Sequence, residues 1–175
     1  MLREKSEPLL RNLMRATVQT VHMAVLEFDQ ATLIAKLSPG GAPRVATWIG
    51  KRVELHCTAL GKCLMAWRTQ EEREQMVRDQ NLLRHNENTI VSIYGLRREL
   101  ARIREAGYAV DDEEEEIGMR CVGVPVFDAQ NRVTFALSVS GTIQEIDLLR
   151  IEEIAKVAQI TAESLAHLLD SSDLF

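Results

Sequence analysis

Three side chains of this chain could make a nucleophilic set: Cys121 as attacking thiol, His56 as its base and Asp111 as the group that orients the base. Such chemistry needs thiol and imidazole within hydrogen-bond reach, because the thiolate is the nucleophile. No local signature of a cysteine enzyme surrounds Cys121, and it heads the apolar run CVGVPVF, where a thiol ordinarily serves as inert packing. A core thiol is therefore expected, and an enzyme using Cys121 and His56 stands as the alternative. The same three residues could be imagined around a metal ion, but His22, His85 and His167 lie far apart. Cys57, Cys63 and Cys121 show no ligand spacing either, so neither a metal nor a cofactor is expected. Gly40 and Gly41 lack the Lys and Ser/Thr that a phosphate loop requires.

Two stretches offer binding instead of turnover. Thr58 is placed to cap a helix whose first turn is Ala59, Leu60 and Gly61. Its unhindered N–H groups and aligned peptide dipoles favour an anion, as every helix start does to some degree. In the run from Val133 to Ser140, alternation sets Val133, Phe135, Leu137 and Val139 on one face and Thr134, Ala136, Ser138 and Ser140 on the other. The first face suits a core. The second is small and hydroxyl-bearing and suits a cavity wall, although a solvated face would read the same. Asp111 to Glu116 are six consecutive acids, and Asp112 to Glu116 read as a solvated loop.

The elements that must position these residues follow from periodicity. Ser6, Glu7 and Pro8 predict a helix start, with Leu9, Leu10, Leu13, Met14 and Thr17 on one face. Strands are predicted over Thr20–Phe28, Thr32–Leu37 and Arg44–Ile49, with Gly50–Glu54 as a polar connection. Helices follow over the Thr58-capped segment through Trp67, over Glu71–Asp79, and over Ile90–Gly107 with Gly107 as its C-terminal cap. After the two strands of the acidic stretch, Asp147–Leu169 closes the chain as a long amphipathic helix. This order predicts an α+β domain, an antiparallel sheet with helices packed on it and a ligand cavity between them. At 175 residues the chain fits one domain; a net charge of −5 with scattered basic residues excludes a nucleic-acid grip of its own. The odd cysteine count fits a reducing cytoplasm, and no window has the apolar length of a membrane span.

Three linked motifs, LHCTALGKCLMAW, REAGYAVDDEEEEIGMRCVGVPVFD and ALSVSG, resemble in order and spacing the effector-binding domain of IclR-type bacterial transcriptional regulators. The resemblance runs from about Pro8 to about Leu169. It implies a GAF-like fold, a sensory and non-enzymatic role, and association into dimers or tetramers. It also implies a small organic acid as effector and DNA contact only through a winged helix-turn-helix for which this chain shows no counterpart. Carried over by position, Ala59 and Leu60 would hold the effector's carboxylate, Asp111, Met119, Cys121, Ser138 and Ser140 would line the rest, and Ala42 and Val45 would form an apolar wall. Members with Gly-Ala at the anchor differ from the bulkier Ala59-Leu60 pair here. Such a pocket demands that paired residues of the two strands sum to an odd number, for instance Cys121 opposite Ser138; a one-residue slip would turn the hydroxyls away. The stripes of Leu9–Thr17 and Leu148–Leu169 could serve subunit contact or the chain's own core.

Overall fold

A computed structural model describes residues 2–41 and 46–170. The elements run α1 (Leu2–Thr17), β1 (Thr20–Glu27), β2 (Gln30–Leu37), β3 (Arg52–Val53), α2 (Ala59–Ala66), α3 (Gln70–Gln80), α4 (Ile93–Ala106), β4 (Ala109–Asp112), β5 (Met119–Phe127), β6 (Val133–Thr142) and α5 (Ile151–Asp170). The six strands form one antiparallel sheet in the order β3-β2-β1-β6-β5-β4. Helices α1 and α5 cover one face through Leu10, Leu13, Ile154 and Ala158 against Met23, Val122, Val124 and Leu137. Helices α2 and α4 cover the other, with Cys63, Leu64, Leu96 and Leu100 against Leu33, Ala109 and Ala136. The α+β expectation holds. With both faces covered, the solvated reading of the Ser138 and Ser140 face fails, and both serines are buried.

Several boundaries differ from the periodic reading, among them the start of α4, which is Ile93 after the Ser92 cap and not Ile90. Helix α1 starts at Leu2, so Ser6 is an interior residue whose hydroxyl donates to the Arg3 carbonyl. An interior proline costs about 3 kcal/mol, and burial of Leu10 and Leu13 offsets it at about 1.5–3 kcal/mol each. The third strand is Arg52–Val53, in the segment read as a connection, and residues 46–49 are not strand. The chain turns at Gly50, which has φ of +90°, and Leu33 bonds both sides of that turn. Helix α5 begins at Ile151, because the Asp147 carboxylate accepts from the Leu149 and Arg150 N–H groups and holds a separate turn, leaving Leu148 exposed. The tip between β1 and β2 is Phe28-Asp29, both at positive φ, the backbone twist that a two-residue hairpin turn needs.

The β5–β6 register has the required odd parity. Cys121 lies opposite Ser140, Gly123 opposite Ser138 and Met119 opposite Thr142, one pairing along from the Cys121–Ser138 example. A register shift between Val126 and Phe127 then breaks the alternation, and Val133 joins the α2 and α4 side with Ala136 while Leu137 and Val139 face α1 and α5. Beside that ladder, a Cβ on Gly123 would meet the Ala59 carbonyl carbon and oxygen at 2.8 Å. The bare backbone of β5 is what lets the first turn of α2 lie directly on the sheet.

Candidate functional site

Helix α2 begins where its sequence calls for it. Thr58 is extended, its Oγ1 accepts from the Gly61 N–H at 2.9 Å, and it donates to the Glu54 carbonyl at 2.6 Å. The first intrahelical bond runs from the Lys62 N–H to the Thr58 carbonyl, so the Ala59 and Leu60 N–H groups belong to the end of the helix that has no intrahelical acceptor. Gly61 has no alternative: a Cβ there would lie 2.2 Å from the Glu54 carbonyl oxygen.

That helix end opens on a cavity of about 60 Å³ between α2 and the sheet. Thr58, Ala59, Leu60, Asp111, Cys121, Ser138 and Ser140 all line it, joined by His22, Thr47 and Lys51, which sequence reasoning did not select. His22 is the one imidazole in the apolar run VHMAVL, and it is the long-range β1–β6 pairing that sets it opposite Ser138. Its Nε2 lies 2.8 Å from Thr47 Oγ1 and its Nδ1 lies 3.4 Å from Ser140 Oγ. Burial, then the charges of Lys36 and Lys51, lowers its pKa to about 4, so the ring is neutral, with one nitrogen donating and the other accepting according to the tautomer.

Other expected lining residues fall elsewhere. Met119 shares the Cys121 face of β5, but it is the first residue of the strand and stands two positions, about 7 Å, beyond Cys121, outside the lining of the cavity. Ala42 and Val45 lie outside the described residues. His56 is buried apart from the cavity with Nε2 2.9 Å from the Leu83 carbonyl. Cys121 is not paired with it, and burial followed by the Asp111 charge pushes the Cys121 thiol well up, the opposite of an activated nucleophile.

The solvated reading of Asp112 to Glu116 holds at Asp112 and Glu116, which are exposed, and fails at Glu114, which is buried. Asp111 is buried and accepts from the Glu114 and Glu115 N–H groups, which folds the run back over the cavity. Burial, then the Glu114 charge, raises the Asp111 pKa to about 7. Glu114 is buried against Lys62, whose Nζ donates to Glu114 at 2.5 Å, to the Val110 carbonyl at 2.5 Å and to Glu99 at 3.0 Å. Burial resists charging Lys62, but Glu114 and Glu99 outweigh it and hold the ammonium protonated. The wholly buried cation on α2 thus clamps α4, β4 and the acidic loop at one point.

The model of the bacterial transcriptional regulator IclR C-terminal family matches residues 1–167. Among curated proteins, the HTH-type transcriptional regulator KdgR of Escherichia coli is 35% identical over 157 residues, which is 90% of this chain and 60% of that protein. The HTH-type transcriptional regulator XynR of the same organism is 36% identical over 146 residues, 83% of this chain and 58% of that protein. The chain therefore spans about 60% of the length of the curated relatives it matches. The crystal structure of the Thermotoga maritima IclR superposes with a TM-score of 0.91 at 32% identity, covering 97% of this chain and 68% of that one. The curled antiparallel sheet with its helices is the GAF-like fold of these domains, and the relatives are regulators, which removes the enzymatic alternative together with its separated Cys121 and His56. With the family match and the fold in agreement over nearly the whole length, the chain belongs to the IclR C-terminal family of bacterial transcriptional regulators.

Proposed function

We propose that this chain is the signal-sensing part of a transcriptional regulator and that its cavity takes a small organic acid. The carboxylate seats on the Ala59 and Leu60 N–H groups at the positive end of α2. Ser138, Ser140 and neutral His22 bond the remaining polar atoms, and Lys51 adds positive charge at the cavity wall. The observation that carries this reading is the convergence of an anion-favouring helix start and a buried hydroxyl and imidazole row on one cavity. Leu60 sets one wall. Occupancy then biases the arrangement of a homo-oligomer and, through it, the operator affinity of a DNA-binding segment outside this chain.

Thermal-shift titration against a panel of two- to five-carbon mono- and dicarboxylic acids tests this. A ligand of the native state raises the melting temperature with concentration. One acid is expected to do so, and Ser138→Ala with Ser140→Ala to weaken the response. A panel that leaves the melting temperature unmoved, or a response indifferent to both serines, would overturn the reading.

A further inference from the structure

Outside the cavity, three side chains of different donor chemistry meet at one carboxylate oxygen. Glu54 Oε2 lies 3.2 Å from Cys57 Sγ and 2.7 Å from His85 Nε2, and the ligand atoms of all three fall within 4.8 Å of one another. None of the three lines the effector cavity. His56 Nε2 stands 4.0 Å from the same oxygen. Cys57 is buried, whereas the Glu54 and His85 side chains reach solvent, so the group is anchored on one side and accessible on the other.

We propose that Glu54, Cys57 and His85 form a binding site for a divalent transition-metal ion of the zinc class. Tetrahedral zinc takes sulfur at about 2.3 Å and nitrogen or oxygen at about 2.0–2.2 Å, which separates neighbouring ligand atoms by roughly 3.3–3.6 Å. The observed spacings are somewhat shorter on two edges. Small rotations of the two solvent-reaching side chains open the triangle, with Cys57 held in place by its packing. One thiolate, one imidazole and one carboxylate favour zinc, cobalt or nickel over magnesium and calcium, which demand several oxygens. The fourth position is open to water or to His56, should its ring leave the Leu83 carbonyl. On binding, the Cys57 S–H bond breaks, its electron pair forms the sulfur–metal bond and the proton passes to solvent, while His85 ligates through neutral Nε2. Because the thiol must lose its proton to ligate, metal binding is pH-dependent. Because the Glu54 carbonyl also accepts from Thr58 Oγ1, the ion would fix the turn that leads into α2 and tie it to the segment carrying His85.

The test is cobalt titration of the purified, fully reduced chain, followed by zinc displacement. One equivalent of Co²⁺ should produce a thiolate-to-cobalt charge-transfer band that Zn²⁺ abolishes, and binding should tighten as pH rises. Cys57→Ser should remove the band. Since Cys57 is buried and its variant could misfold, the surface variant His85→Gln provides the second arm, with affinity expected to fall by about 100-fold. A reduced wild-type chain that binds neither Co²⁺ nor Zn²⁺ at micromolar concentration overturns the proposal. So does binding whose affinity is the same in His85→Gln. Both readouts are independent of any effector, so failure here would leave the cavity reading untouched.

Discussion

Asp111 is where the chemistry of the cavity is most exposed to pH. An ordinary carboxyl is ionised far below neutrality, but this one sits at about 7 because burial and Glu114 disfavour its charge. A raised carboxyl pKa means that the native state holds a proton the unfolded chain has already lost. Its contribution to stability is therefore largest near pH 4 and declines as pH climbs towards 7 and just past it. An incoming carboxylate next to Asp111 prefers the protonated form. The affinity of an acid effector should accordingly fall by roughly tenfold per pH unit above 7. Calorimetric titration at pH 6, 7 and 8 checks this, with Asp111→Asn expected to flatten the dependence; a wild-type affinity constant across that range would remove Asp111 from contact with the ligand. Of these cavity residues, Ser138 and Ser140 were legible in sequence because strand alternation assigns them a face, and Thr58 because cap chemistry is local. His22 was not, since its role arises from pairing with a strand more than a hundred residues away, which no local pattern encodes.

At the scale of elements, most of the sheet and the α2 start were readable while the burial of Glu114 in the acidic loop was not, and Lys62 is the reason. Charge runs are solvated unless something buried neutralises them, and a lysine inside LHCTALGKCLMAW reads as an exposed helical position when only the apolar stripe is counted. All eight residues of α2 are in fact buried, and Lys62 reaches Glu114 and Glu99 from within the core. The third strand was misplaced for a similar reason: the chain reverses at Gly50, and pairing of Val53 with Ala31 is decided by the neighbouring strand and not by the residues around it. Lys62→Met should leave the buried Glu114 carboxylate without its cation, while Glu99 keeps Arg102, and destabilise the domain by about 3–5 kcal/mol in denaturant unfolding, the usual result of breaking one half of a buried pair. Replacing Glu114 by Gln in the same chain should recover a measurable part of that loss. If the double variant is no more stable than Lys62→Met alone, the loop is not held by this clamp.

For the whole molecule, most of the two helical stripes that could have served subunit contact is used within the chain, Leu148 excepted. Leu10 and Leu13 of α1 and Ile154, Ala158 and Leu165 of α5 bury one another and the sheet within a single chain. Self-association, which the proposed regulatory role requires, must use what remains outside. Phe28 at the β1–β2 tip is 99% exposed and Leu149 before α5 is 92% exposed, beside Leu148, which is also exposed. Sedimentation velocity across a hundredfold range of protein concentration should show a dimer or larger species. Phe28→Asp or Leu149→Asp should shift it towards monomer, while leaving the melting temperature at low concentration nearly unchanged, because neither side chain packs in the core. A chain that sediments as a monomer throughout would mean that effector binding has no subunit arrangement to bias within this domain, and that coupling to DNA runs through contacts made elsewhere.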